Sequence, residues 1–129
     1  IYICIYTIMK RVKKEIINRD EFYAKYLKLI NVILPKPLTQ REIDVLSEFM
    51  KLKGDIVSLD RFGTQCRKIV RNKLGFKHAS NIDNYIKYFK DKGILVINTN
   101  NILELNPRLF VPNSENTVEL TFLFQIYDN

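Results

Sequence analysis

Residues 64–97 read TQCRKIVRNKLGFKHASNIDNYIKYFKDKGILVI, and the predicted fold follows mainly from their pattern. Apolar residues recur at three- and four-residue spacing, which predicts one helix over about 64–74 and another over about 79–92. Gly75 can adopt the left-handed conformation that ends the first helix, and Gly93 stops the second. Since only a short turn joins them, we expect the two helices to pack as a helix-turn-helix pair.

Beyond Gly93 the apolar residues no longer follow a helical period. Apolar residues at 94–97 and at 102, 103 and 105 flank the polar stretch 98–101, which predicts a β-hairpin with an Asn-rich tip. Asparagine tolerates the left-handed backbone that such a tip requires. Further on, residues 117–127 alternate between apolar and polar side chains and predict a final strand.

A third helix is predicted upstream of the pair. Thr39 and Glu42 have the spacing of a capping box, in which each side chain accepts a hydrogen bond from the other residue's backbone N–H. We expect this helix to be closed by Lys53 and Gly54, and a short extended piece to follow over 56–59.

Two more elements are predicted near the start of the sequence. Residues 1–9 favour a strand, because isoleucine, tyrosine and threonine prefer extended backbone. Asp20 is a candidate N-cap for a helix over about 21–34, which Pro35 and Pro37 would end.

The positive charge of the chain is concentrated in one quarter of it. Residues 61–92 contain nine basic and two acidic residues, so the whole formal charge of +7 arises there. A local positive field of this kind attracts polyanions such as nucleic acid. The alternative interpretation is a solvated helical surface that keeps the protein soluble.

Three helices followed by a hairpin resemble the winged helix-turn-helix family of DNA-binding domains. The stretch LTQRE at 38–42, continued to Leu46, is similar to the first helix of many such regulators. The stretch SNIDNYIKYFKDKGIL at 80–95 resembles their recognition helix and the entry to their wing. The resemblance covers about 38–110, and a looser one links this segment to small winged-helix proteins of tailed phages, including crAss-like phages.

The resemblance implies an α+β fold: a winged helix-turn-helix, made of three helices and a β-hairpin wing, with an extra strand and helix before it and a strand after it. We therefore expect an N-terminal extension at 1–37, the winged-helix unit at 38–110 and a C-terminal strand at 111–129. That last strand would pack on the N-terminal extension or on a neighbouring subunit, because long apolar edge strands left exposed invite aggregation.

The same resemblance implies contact with double-stranded DNA through the helix-turn-helix. The residues expected at base edges in the major groove are Ser80, Asn81, Asn84 and Lys87. Those expected on backbone phosphates are Arg67, Lys68, Arg71, Lys73 and Lys77. Two features depart from the family pattern: the wing tip at 98–101 has no basic residue, and Asp83 lies on the recognition helix. Asp83 could accept from a cytosine amine or could be a capping partner of Ser80.

Nothing in the sequence indicates catalysis. The single histidine, His78, is expected to be a turn residue, and the sequence lacks a glycine-rich phosphate loop, an HExxH motif and a nucleophile elbow. We therefore expect no enzyme, no catalytic residue, no metal and no cofactor. Cys4 and Cys66 are expected to be reduced thiols, which suits an intracellular protein, in the host cytoplasm or in a virion if a phage encodes it. Residues 1–8 are too few to cross a bilayer, so no membrane partner is expected.

An assembly role is the alternative. The protein could be a virion component, such as part of a portal-vertex or head-to-tail connector ring, with the winged helix as a packing block. The apolar ends of the sequence, Asp83 and the uncharged wing tip favour this alternative. Under either interpretation we expect a homo-oligomer, or contact with neighbouring assembly proteins, through the terminal strands. Tyr85 and Tyr88 remain open as side chains that could stack on bases.

Overall fold

The computed structural model of the chain describes residues 12–110 and 116–128. Within these ranges the chain is a mixed α+β structure with five helices and one small antiparallel sheet. The helices are α1 (Arg19–Ile30), α2 (Gln40–Lys51), α3 (Asp55–Asp60), α4 (Thr64–Leu74) and α5 (Ala79–Asp91), and the strands are β1 (Leu95–Ile97) and β2 (Leu103–Leu105).

The start of α2 is held by the predicted capping box. Glu42 Oε1 accepts from the Thr39 N–H at 2.8 Å, and Thr39 Oγ1 accepts from the Glu42 N–H at 3.2 Å. These two hydrogen bonds satisfy N–H groups that would otherwise be unpaired at the start of the helix. At its other end the helix stops at Lys51, before the predicted closure at Lys53 and Gly54.

The predicted extended piece over 56–59 is wrong, because these residues lie inside α3. Gly54, with φ of 116°, turns the chain immediately before this helix. Asp55 then places a carboxylate in the first turn, where the helix dipole favours negative charge. Within α3, Val57 is buried and Leu59 is 76% exposed.

The boundaries of α1 also differ from the prediction. The N-cap is Asn18 and not Asp20, since Asn18 Oδ1 accepts from the Asp20 N–H at 2.9 Å. At the other end, Asn31 accepts from the Leu38 N–H at 2.6 Å and donates to the Leu38 carbonyl at 3.0 Å. This side-chain bridge ends the helix at Ile30, ahead of Pro35.

One buried cluster is shared by the helices and the hairpin. Phe49 and Phe62 pack at its centre with ring centroids 5.1 Å apart. The helical spacing of Ile69, Val70 and Leu74 predicts that all three are buried. On α4 the buried side chains are instead Cys66 and Val70, and Ile69 is 48% exposed. The fully buried side chains are Phe49, Phe62, Phe89, Leu27, Leu46, Ile82, Ile94, Val45, Val70 and Cys66.

The β-hairpin forms where it was predicted. Leu95 pairs with Leu105 and Ile97 pairs with Leu103 in the antiparallel register. In the tip, Asn101 has φ of 63°, and Asn98 Oδ1 accepts from two backbone N–H groups of the turn. Asparagine thus supplies both the left-handed residue and the hydrogen bonds of the turn.

The predicted C-terminal strand is not formed. Residues 116–128 contain no helix or strand, and nearly all of them are exposed. A strand needs a neighbouring strand for its backbone hydrogen bonds, and the described residues place none beside this segment. The predicted strand over 1–9, which was to pair with it, lies outside the described residues. Among the helices that the structure describes, none has the length and apolar character needed to cross a membrane.

Candidate nucleic-acid interface

The predicted helix-turn-helix is present as α4, a short turn and α5. Gly75 ends α4 in the left-handed conformation, with φ of 74°, and its N–H donates to the Asn72 carbonyl at 3.2 Å. His78 occupies the N-cap position of α5, where its side chain makes no capping hydrogen bond. The two helices pack against each other. Ile82, Ile86 and Phe89 of α5 are buried, so the opposite face of this helix is turned toward solvent.

The outward face of α5 carries polar side chains at helical spacing. Ser80, Asp83, Asn84 and Lys87 are exposed, whereas Ile82, Ile86 and Phe89 are buried on the other side. Residues three and four apart on a helix are neighbours on one face. Three of the four side chains predicted at base edges therefore lie together. Asn81, the fourth, is half-buried at the margin of this face.

Several cationic side chains of the motif are exposed without an ion pair or a side-chain hydrogen bond to any described residue. Lys68 on α4, Lys77 in the turn and Lys87 on α5 are all of this kind. Arg71 on α4 is half-buried, and its Nε is buried and has no hydrogen-bond partner within 12–110 and 116–128. We call the set Lys68, Arg71, Lys77 and Lys87 the open basic set.

Two other side chains predicted on phosphates already make contacts within the protein. Arg67 Nη1 lies 3.2 Å from Asp83 Oδ1, and Arg67 Nε donates to the Phe62 carbonyl at 2.7 Å. Lys73 Nζ lies 2.8 Å from Glu48 Oε2. A phosphate at either place would compete with a carboxylate.

Glu48 is a carboxylate shared between two lysines. Its Oε1 accepts from Lys51 at 3.0 Å, and its Oε2 faces Lys73. Burial raises the pKa of Glu48, but the ion pairs with Lys73 and Lys51 outweigh burial and leave the pKa below its usual value. The carboxylate is ionised near neutral pH and holds both lysines.

Two more basic residues of the segment 61–92 have structural roles. Arg61 Nη1 donates to the carbonyls of Phe49, Met50 and Leu52 at 2.9, 3.2 and 3.1 Å, which satisfies the end of α2. Lys92 Nζ donates to Glu42 Oε1 at 2.6 Å and to the Pro37 carbonyl at 3.0 Å. Four of the nine basic residues therefore serve the fold: Arg61, Arg67, Lys73 and Lys92. Asp83 on α5 forms an ion pair with Arg67, and not the capping contact with Ser80 that the sequence offered as one alternative.

Two tyrosines at the edge of α5 differ in their surroundings: Tyr85 is packed against another ring and Tyr88 is exposed. Tyr85 stacks on Phe76 with ring centroids 6.0 Å apart and an interplanar angle of 6°, and Arg41 lies 4.8 Å from the centre of the Phe76 ring. Tyr85 is thus a packing residue. Tyr88 is 47% exposed and lines an open depression together with Thr39, Glu42 and Lys92.

Cys66 is a buried free thiol, and Cys4 lies outside the described residues. Among residues 12–110 and 116–128, no group of three or more His, Cys, Asp or Glu side chains could hold a metal ion.

Comparison of the chain with protein-family models, with curated proteins and with solved structures finds no match.

Sequence reasoning missed the residues that restrain the interface. Asp83 and Arg67 are 16 positions apart, and Glu42 and Lys92 are 50 apart. Neither spacing is a local motif, so no sequence signal identified the pairs. The one available signal was that Asp83 is a lone acid among basic residues, which favours a neighbouring cation as its partner.

Proposed function

We propose that the protein is a winged helix-turn-helix protein that binds double-stranded DNA through α4, the following turn and α5. The observation that carries this proposal is the open basic set, which lies on the same two helices and turn as the exposed Ser80 and Asn84. The element order supports it, since α2, α4 and α5 precede a hairpin and α3 is an insertion of a few residues. Fold alone would not fix the function.

The proposed binding mode puts α5 in the major groove. Asn84 would face base edges, where an amide can both donate to and accept from adenine. Ser80 and Lys87 lie one turn before and one turn after it on the same face. Lys68 and Lys77 would contact phosphates on either side of the groove and supply affinity without sequence preference. Arg67 would contribute only by sharing its guanidinium between a phosphate and Asp83.

Fluorescence anisotropy of a labelled random duplex, titrated over a series of salt concentrations, tests the proposal. The variant Lys68→Glu/Lys77→Glu/Lys87→Glu should bind random duplex at least about 100-fold more weakly and flatten the dependence of log K on log salt by about three units, roughly one for each lost contact. The matched control is Lys28→Glu/Lys36→Glu/Lys53→Glu, which changes the charge equally at exposed lysines outside residues 61–92. If wild type binds no duplex at low salt, or if both triple variants lose affinity and slope alike, the proposed interface is wrong.

Charge reversal at Arg67 and Arg71 would test the same surface less cleanly. A glutamate at 67 would face Asp83 and would lose the hydrogen bond to the Phe62 carbonyl. A glutamate at 71 would put a carboxylate where the Arg71 Nε is buried. Both changes would alter the fold as well as the charge, so the three lysines are the better targets.

A second candidate function is that of an assembly protein, in which the helical unit is a packing block. The exposed apolar side chains of the C-terminal segment, such as Phe124 and Ile126, favour it. The native mass separates the two functions. A large ring with no affinity for duplex would support assembly, and a small species that binds duplex would support the DNA role.

A further inference from the structure

The C-terminal segment 117–127 has one apolar and one largely polar face. In extended backbone, alternate residues point to opposite sides. The odd-numbered positions carry Thr117, Glu119, Thr121 and Gln125, with Leu123 and Tyr127 as the apolar exceptions. The even-numbered positions are all apolar: Val118, Leu120, Phe122, Phe124 and Ile126. The segment therefore has the pattern of a strand that covers a core on one side.

The cover of this apolar row decreases steadily along the segment. Val118 packs against the core of its own chain. Leu120 is 37% exposed and Phe122 is 45% exposed, whereas Phe124 and Ile126 are 84% and 85% exposed. Val118, which packs on the core, and the partly covered Leu120 form the seated half of the row, whereas Phe124 and Ile126 project from the protein, with Phe122 at the boundary.

We propose that this segment pairs with the same segment of a second copy of the chain, in antiparallel register centred on Phe122. In this register Phe124 lies opposite Leu120 of the second copy, and Ile126 lies opposite Val118 of the second copy. Each projecting half is then placed beside the seated half of the other molecule, where the apolar row continues onto a folded core. By symmetry, the same contacts cover the projecting half of the second copy.

The sequence of the segment suits self-pairing. With Phe122 opposite itself, every even position faces an even position, so the two apolar rows fall on one side of the paired strands. The charged residue of the segment, Glu119, lies opposite Gln125, so no like charges are opposed. A different protein would need a strand with one covered and one exposed half, arranged so that each half meets the opposite kind of half on this chain. A second copy of the chain, running antiparallel, has this arrangement.

The paired strands would close the assembly as a symmetric dimer. An interface in which residue i contacts j and j contacts i is isologous and ends at two subunits. A two-stranded ribbon alone is marginal in water, so its stability must come from the seated halves on the two cores. Pairing also satisfies backbone groups that the isolated segment exposes along its edge. The inference does not depend on DNA binding.

Sedimentation of the full chain over a dilution series tests the dimer. Wild type should dimerise, and Phe124→Asp should weaken dimerisation at least about 100-fold, because each dimer contains two copies of the lost apolar contact. Thr121→Asp is the matched control, since it adds the same charge on the other face, and should weaken dimerisation less than about 10-fold. Phe124 is 84% exposed, so its replacement leaves the fold intact, which the circular dichroism spectrum checks.

Single cysteines test the register. In a Cys4→Ser background, in which the remaining thiol of Cys66 is buried, Phe122→Cys should oxidise to a covalent dimer. Val118→Cys should not, because the two residues 118 would lie eight positions apart along the paired strands, about 27 Å. Val118→Cys mixed with Ile126→Cys should again form a covalent dimer. Four results would each overturn the proposal: a monomer at all concentrations, a mass above that of the dimer, a dimer whose dissociation constant Phe124→Asp leaves unchanged, or equal crosslinking at 118 and 122.

Discussion

Arg67 and Asp83 connect α4 to α5 across the candidate interface. Arg67 Nη1 lies 3.2 Å from Asp83 Oδ1, and the same guanidinium is held from the other side by the Phe62 carbonyl, 2.7 Å from Nε. The side chain of Asp83 is 57% exposed, and an ion pair this open to water stabilises a fold by at most about 1 kcal/mol. The pair should therefore matter more to what the surface binds than to folding.

The first prediction concerns the charge of Asp83. If α5 binds DNA as proposed, Asp83→Asn should raise the affinity for random duplex about 3- to 10-fold at low salt, because it removes a carboxylate from the outward face of α5 and releases Arg67 toward phosphates. Anisotropy titrations measure the change. Asp91→Asn is the matched control, since Asp91 is the exposed last residue of α5.

Two results would change the interpretation of Asp83. Equal gains from Asp83→Asn and Asp91→Asn would mean that only the net charge matters. If a selected target site bound more weakly while random duplex bound more tightly, Asp83 would act by accepting a hydrogen bond from a base, such as the cytosine amine.

The second prediction separates stability from binding within the basic segment. Arg61→Met should lower the free energy of unfolding by about 2 kcal/mol, because Arg61 donates to three carbonyls at the end of α2 and a charged donor contributes about that much. Its affinity for duplex should match that of wild type under conditions where it is folded.

The comparison for Arg61 is Lys68→Glu. This variant should lose affinity for duplex and change the free energy of unfolding by less than about 0.5 kcal/mol, as expected of an exposed side chain without partners among the described residues. Urea unfolding and anisotropy together measure both quantities. If Arg61→Met weakened DNA binding as much as Lys68→Glu does, Arg61 would belong to the binding surface.

The elements that the sequence predicted correctly depend on local chemistry. The Thr39 and Glu42 capping box, the left-handed Gly75 and the Asn-rich hairpin tip each involve residues within a few positions of one another. Such contacts form in the same way in any tertiary context. The spacing of Ile82, Ile86 and Phe89 likewise fixed which face of α5 is buried.

The features that the sequence did not predict depend on distant contacts. The sequence did not show which of the nine basic residues serve the fold: Lys92 is held by Glu42 from 50 positions away, and Arg61 by the end of another helix. The early end of α1 follows from the bridge between Asn31 and Leu38. For residues 117–127 the alternation was real, but a strand forms only where a second strand lies beside it.

The third prediction concerns pH and the buried carboxylate of Glu42. Burial raises the pKa of Glu42, but hydrogen bonds from Lys92 and from the backbone and hydroxyl of Thr39 outweigh it, so the pKa lies below its ordinary value of 4.5. A lowered folded pKa means that the unfolded chain binds the proton more readily. Glu42 thus stabilises the fold above about pH 4.5, and this contribution is lost as the pH falls through the lowered value. Glu48 acts in the same direction.

Urea unfolding at a series of pH values measures this dependence. Glu42→Gln keeps a capping side chain at the third position of α2 but removes the charge beside Lys92. It should lower the free energy of unfolding by about 2 kcal/mol at pH 7 and should make the loss between pH 5 and pH 3 smaller than in wild type (roughly one group's share). An unchanged slope would mean that Glu42 is not the titrating group.

The last prediction concerns the thiol of Cys66. This side chain is fully buried on the inner face of α4, and burial raises the pKa of the thiol above its ordinary value. The thiolate is the reactive form, so both access and ionisation oppose reaction in the folded protein. In a Cys4→Ser variant, a chromogenic disulfide reagent should therefore label Cys66 only as fast as the protein opens. Adding urea should accelerate labelling in parallel with unfolding, and Asp83→Asn should leave the rate within about 3-fold, since the Arg67 pair contributes little to stability. Rapid labelling of the folded protein would mean that α4 does not pack on the core as described, and the arrangement of the open basic set would then need revision.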